Sequence, residues 1–195
     1  TLELRNSQQV SRGKEEPEKK RDTSFELELW TWNEMEVPTL QEGGRYRYDK
    51  SMKYIYNISS KKLTEVAPVN VDLLMPSGAE KLDYVLYTDE SPYKMQREWL
   101  DQLPFDIYSV NVHTGAKRLI GRSYRTAPKW SVNGKWAVMY DPIARVWNKF
   151  DGATGKVVNI SDAIGYPMFV ESYDQPAPAP AYGIAGWTAD GDKGL

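Results

Sequence analysis

The sequence predicts an all-β chain built from short antiparallel strands in a repeating unit, and three observations carry that prediction. A turn signature recurs as Asn57-Ile58-Ser59-Ser60-Lys61-Lys62-Leu63, Asn111-Val112-His113-Thr114-Gly115-Ala116-Lys117 and Asp151-Gly152-Ala153-Thr154-Gly155-Lys156-Val157. In the last two copies an aromatic or β-branched run ends in Asn or Asp, a Thr-Gly pair follows, and a second run ends in Ile120 or Ile160. Gly115 and Gly155 supply the positive φ that a tight turn between strands needs. The two Thr-Gly pairs stand 40 residues apart, near the length of a four-stranded propeller blade. Finally, 13 Tyr and 7 Trp against 4 Phe is the aromatic balance of half-buried sheet faces.

Taken in order, Leu2 and Leu4 alternate with polar neighbours as a short strand would. Residues 7–23 are polar and charged and read as a solvated insertion, so residues 1–24 stand as the end of a preceding strand plus that insertion. Phe25 to Trp32 alternates as a strand, and Glu42-Gly43-Gly44-Arg45 is turn chemistry. Met52 to Ile58 and Lys62 to Val66 form a hairpin, and Leu82 to Thr88 is a further strand. Asp106 to Val112 pairs with Lys117 to Ile120, and Trp136 to Asp141, Val146 to Asp151 and Lys156 to Ile160 form the best-preserved unit. The repeats fall near 25–75, 76–125 and 126–175, with the start of another at 182–195. Between Asp174 and Tyr182, Pro176, Pro178 and Pro180 keep the chain extended and out of a central ladder.

One segment reads as helical. Pro92 suits a first turn, Met95, Trp99 and Leu103 share a face, and Pro104 ends it. It is expected as a rim helix of up to about three turns, with Trp99 plugging against a blade. A second recurring signal is Lys129-Trp130-Ser131-Val132-Asn133-Gly134-Lys135, echoed by Gly186-Trp187-Thr188-Ala189-Asp190-Gly191-Asp192 and, in degraded form, by Pro76-Ser77-Gly78. Asn-Gly and Asp-Gly are strong hairpin signals.

Composition narrows function. A net charge of −2 argues against nucleic acid or an anionic membrane as partner. No stretch approaches the roughly 20 apolar residues of a membrane helix. Without Cys there is no disulfide, no thiolate nucleophile and no Cys-bound zinc. Mean hydropathy is −0.62, so much of the chain stays wet. The strand-like start and the finish just after a turn signal read as a piece cut from a longer protein.

Trp130-Ser131-Val132-Asn133-Gly134-Lys135, Tyr140-Asp141 and Thr154-Gly155-Lys156 follow one another in an order that resembles the propeller repeats of prolyl-oligopeptidase-like serine peptidases, the group of dipeptidyl peptidase IV and the acylaminoacyl peptidases. Asp174-Gln175-Pro176 and Tyr182-Gly183-Ile184-Ala185-Gly186-Trp187 are similar to a segment of large exported members from Bacteroidetes-like bacteria. The resemblance covers roughly Phe25 to Leu195. It implies a β-propeller segment of about three four-stranded antiparallel blades with one short helical insertion, in a periplasmic or extracellular protein. It further implies a non-catalytic part that gates and positions peptides for a hydrolase domain carried elsewhere. The partners are then the remaining blades and α/β-hydrolase domain of the parent chain, with no nucleic acid and no membrane span. The alternative is a stand-alone propeller that binds protein or glycan. Asp-Gly turns also occur in TolB-like propellers, and Ser60-Lys61 departs from Thr-Gly in the earliest copy.

The chemistry expected of a peptidase is missing from the sequence. A nucleophile elbow reads G-x-S-x-G, and none occurs. The single His, His113, precedes Thr114-Gly115 in a turn and reads as solvent-facing, since catalysis needs an adjacent nucleophile and an orienting carboxylate. Asp49, Asp89, Asp141 and Asp151 follow strands separately, without calcium-loop spacing, so no metal or cofactor is expected. Gly43-Gly44 lacks the Gly-Lys-Ser/Thr ending of a phosphate loop. Paired carboxylates for glycoside hydrolysis cannot be singled out among 27 acids. Trp30, Trp32, Trp130, Trp136, Trp147 and Trp187 are expected to pack between blades rather than stack on sugars. Arg97-Glu98-Trp99 occupies a setting like the substrate-reading helix of dipeptidyl peptidases without matching its Glu-Glu pair, so no binding residue is assigned.

Overall fold

The computed structural model describes residues 2–5, 51–69, 71–76, 82–97, 99–100, 102–191 and 193. The expected strand Phe25 to Trp32, the charged insertion, Gly43-Gly44, Asp49 and Glu98 lie outside the described residues, as do Ser77 and Gly78. Among the described residues the chain is mostly strand, arranged as three antiparallel sheets. Strands β1 (Leu2–Arg5), β2 (Ser51–Asn57) and β3 (Lys62–Ala67) form the first sheet. Strands β4 (Asp72–Leu74), β5 (Tyr84–Asp89), β6 (Phe105–Asn111) and β7 (Lys117–Tyr124) form the second. Strands β8 (Lys129–Trp130), β9 (Trp136–Asp141), β10 (Val146–Asp151) and β11 (Val157–Asn159) form the third. The last two sheets are four-stranded meanders in chain order, whereas the first holds three strands.

In the second and third sheets side-chain alternation sends each strand's residues to opposite faces, and both faces are apolar. On β9, Ala137 and Met139 join Leu86, Ile107 and Tyr124 of the second sheet, while Val138 and Tyr140 join Met168, Phe169 and Trp187 on the other side. The second sheet likewise turns Val85, Tyr87 and Val110 towards Val66 and Ala67 of the first. The sheets therefore pack in series, first on second and second on third. Tyr87 stacks on Tyr108 at 5.0 Å between ring centroids. Burial, with the nearby Tyr108, Asp89 and Glu65, pushes the Tyr87 phenol up to about 12. Lys117 Nζ donates to Glu65 Oε1 at 2.6 Å and Lys62 Nζ to the His113 carbonyl at 2.9 Å, joining the first two sheets near the surface.

The turn repeats superimpose in their bonding. Asn111 Oδ1 accepts the N–H groups of His113 and Thr114, both at 3.0 Å, and Asp151 Oδ1 accepts those of Ala153 and Thr154 at 2.9 and 3.0 Å. Gly115 and Gly155 sit at φ +77° and +68°, each donating its N–H to the carbonyl four residues back. The Asn57 turn follows the same plan, with Lys61 at φ +51° in the glycine's place.

The helix is the clearest correction. A 3-10 helix spans Ser91–Gln96 only, with Pro92 in its first turn. Met95 is exposed and Trp99 is 76% exposed, so Trp99 plugs nothing and the expected rim helix to Leu103 does not form. The segment is held instead by the Tyr93 hydroxyl, which donates to the buried carboxylate of Asp106, itself bonded by the N–H of Ser123. That anchor lies off the Met95–Trp99 face, so nothing covers the face that a longer amphipathic helix must bury.

Candidate functional site

A concavity lies on the far side of the third sheet from the second. Trp136 and Val138 of β9 and Trp147 and Lys149 of β10 form its floor. Ile160, Ile164, Met168, Ile184 and Trp187, from the chain after β11, build the walls around about 510 Å³. The hydrogen bonds of this returning segment explain how it stays in place. Val170 N–H bonds the Pro180 carbonyl at 2.9 Å, Phe169 bridges Ala181, and Tyr140 donates its hydroxyl to the Ala179 carbonyl at 3.0 Å. Proline at 176, 178 and 180 leaves the segment without a ladder of its own, as expected of an extended Pro/Ala run.

The lining is apolar with a basic rim. Lys149 Nζ rests 4.0 Å above the Trp136 ring, and Arg145 sits 4.9 Å over Phe169 on the same side of the sheet. Tyr140 and Trp147 pack at 5.5 Å with rings tilted by 49°. Burial raises the Tyr140 phenol above its ordinary value; Arg145 works against this and Asp141 with it. The indole N–H of Trp147 is buried and has no hydrogen-bond partner among the described residues. A second concavity of about 570 Å³ lies at the edge formed by Leu73, Leu74, Trp130 and Trp187.

The expected tryptophans divide. Trp130 packs between the second and third sheets, edge-on to Phe150 at 5.9 Å, with its N–H donated to the Leu74 carbonyl at 3.1 Å. Trp136, Trp147 and Trp187 meet around the cavity, and Trp30 and Trp32 lie outside the described residues. His113 is half-exposed in its turn and pairs with Asp83 at 2.9 Å. Asp89, Asp141 and Asp151 each cap a separate turn through their own Oδ1. Among the described residues no group of three His, Cys, Asp or Glu gathers as a metal site, and no helix is long and apolar enough to cross a membrane. Arg97 bonds the Glu90 carboxylate at 3.7 Å, on the short helix and away from the cavity.

Ile164 and Met168 were not singled out in the sequence, and Ile160 and Ile184 entered only as the end of a strand and as part of a motif. Their signal lay in the 40-residue spacing, which makes Ile160 and Ile164 the counterparts of the core positions Ile120 and Tyr124. Compared with protein-family models, with curated proteins and with solved structures, the chain gives no match.

Proposed function

We propose that this chain is a segment of a β-propeller that serves, without catalysing, as the gating and peptide-positioning part of a larger prolyl-oligopeptidase-like serine peptidase. The observation that carries the reading is serial packing. The second and third sheets are chain-ordered four-stranded meanders of matched register, each laid face to face on the sheet before it. Stacked four-stranded sheets of one repeat are the building plan of a propeller. The bond-for-bond match of the Asn111 and Asp151 turns supports a true repeat. The peptidase half of the proposal rests on the motif order Trp130 to Lys135, Tyr140-Asp141 and Thr154 to Lys156.

In that role the segment supplies walls and surface. His113 is engaged by Asp83, and the sequence carries no nucleophile elbow, so acyl-transfer chemistry belongs to a separate hydrolase domain. The second reading, a protein- or glycan-binding propeller, draws on the three tryptophans around the cavity. Lys149 already covers one face of Trp136, which disfavours sugar stacking there.

An antibody raised against the chain, used on extracts of the source organism, separates the two. The expected result is a polypeptide well above 22.3 kDa that a fluorophosphonate probe labels, while the purified chain stays unlabelled. A longer polypeptide refractory to the probe favours the binding propeller, and labelling of the purified chain refutes the non-catalytic role.

A further inference from the structure

The cavity on the third sheet is built from the same positions as the completed interface between the second and third sheets. Tyr84, Leu86, Ile107, Ile120, Tyr124 and Trp130 belong to that interface, where Ala137, Met139 and Phe150 cover them. Pairing registers set the correspondence. Tyr84 faces Asn111 as Trp136 faces Asp151, and Tyr108 faces Leu119 as Asn148 faces Asn159. In this frame Tyr84, Leu86, Ile107 and Ile120 become Trp136, Val138, Trp147 and Ile160; the 40-residue offset adds Ile164 for Tyr124, the repeated turn motif adds Trp187 for Trp130, and all six line the cavity. Val138 and Trp147 are buried beneath the returning segment, and the face is open at its Ile160 and Ile164 end. Tyr124 is 3% exposed, whereas its counterpart Ile164 is 45% exposed.

The chain also begins the next unit. Ser131 N–H bonds the Trp136 carbonyl and Gly134 N–H the Ser131 carbonyl; Thr188 N–H bonds the Lys193 carbonyl and Gly191 N–H the Thr188 carbonyl. Gly134 and Gly191 share positive φ, +69° and +71°. Asn133 Nδ2 donates to the Asp190 carbonyl at 2.6 Å, so the second turn sits directly on the first. Trp147 adds a buried indole N–H without an acceptor among the described residues, which native interiors rarely leave.

We infer that the cavity is one half of a sheet-on-sheet interface rather than a small-molecule pocket. Its occupant is a further antiparallel sheet of the same repeat, opened by the turn from Trp187 to Lys193. That sheet carries apolar side chains where the third sheet carries Ala137, Met139 and Phe150. This rests on the propeller-segment reading and places the sheet in the same polypeptide. The face continues an interface already formed once in the molecule, and continuity selects a repeat unit over a free ligand.

Hydroxyl-radical footprinting with mass spectrometry tests it. The probe is applied to the purified chain and to the antibody-recovered native polypeptide, each after exhaustive dialysis and native gel filtration. Modification of Trp136, Ile160, Ile164 and Met168 is read against the exposed Trp99. A several-fold fall in these four ratios in the native polypeptide is the expected result. Equal ratios in a longer native polypeptide overturn the further sheet while leaving the propeller reading intact. Protection present before dialysis and lost after it identifies a small ligand and likewise overturns the sheet. Recovery of nothing longer than 22.3 kDa overturns both readings together.

Discussion

Gly115 and Gly155 occupy one kind of turn in this molecule, and Lys61 and Arg145 occupy the same kind without glycine. All four hold φ between +51° and +77° four residues after an Asn or Asp. In each case the Asx oxygen accepts a backbone N–H two or three residues on: Ser60 to Asn57 at 2.9 Å and Ala144 to Asp141 at 3.0 Å in the non-glycine pair. The side-chain oxygen at the turn's first position therefore specifies the loop. Glycine only lowers the cost of the left-handed residue. Lys61 and Arg145 are both exposed, and Arg145 recovers part of that cost by placing its guanidinium over Phe169.

The largest effect is expected at Gly155. A methyl there stands 3.1 Å from two ring atoms of Tyr84, in a backbone conformation that disfavours any Cβ. Gly155→Ala should lower stability by about 2 kcal/mol in a denaturant melt. Loss no greater than at Gly115 would show that Tyr84 swings aside freely. Gly115→Ala meets the Thr64 methyl at 3.3 Å and the Glu65 carbonyl at an ordinary 3.6 Å, and should cost about 1 kcal/mol. The two added methyls meet different side chains, Thr64 and Tyr84, so the double variant should lose roughly the sum to within about 0.5 kcal/mol. A clear departure from additivity would mean that the repeats do not act as separate units.

Lys61→Gly should move the other way, gaining a little under about 1 kcal/mol as the left-handed penalty is lifted against a small rise in unfolded-chain entropy. A loss on melting would refute the shared turn plan. The smallest effect concerns acid. Burial alone would raise the Asp151 carboxyl, but the N–H groups of Thr154 and Ala153, the Thr154 hydroxyl and Lys149 hold it below its ordinary 3.8. A depressed carboxyl contributes stability above its unfolded value and loses it as pH falls through the folded one. Asp151→Asn should therefore flatten the acid limb of a stability-against-pH curve below about pH 4, while Asn111→Asp should steepen it. An unchanged slope in the first variant would remove Asp151 from the acid response.

How much of this was legible depended on how local the cause was. Trp136 to Asp141 and Val146 to Asp151 were readable to the residue, because their alternation and their Asx turns are written in adjacent positions. The two- and three-residue strands β8 and β4 were not, since no period can be seen in so few residues. The Asp141 turn went unread because Arg145 stands where glycine marks the others. Met95 and Trp99 did repeat at helical spacing, yet periodicity shows only that a face could be buried, not that a surface exists to bury it. The cavity was least legible: its lining spans β9 to Trp187, and only superposing one repeat on another brings those positions together.

The approach of Gly155 to Tyr84, and of Gly115 to Thr64, means that the turn of each later sheet rests on the sheet before it. A chain of this kind can be built in the order in which a ribosome delivers it. Each hairpin of the second and third sheets meets an already formed support as it emerges, and the pairings within those two sheets join neighbours in sequence, so their nascent strands need not wait for distant partners. During translation each finished sheet then presents the apolar face on which the following sheet is laid, as the first does for the second and the second for the third.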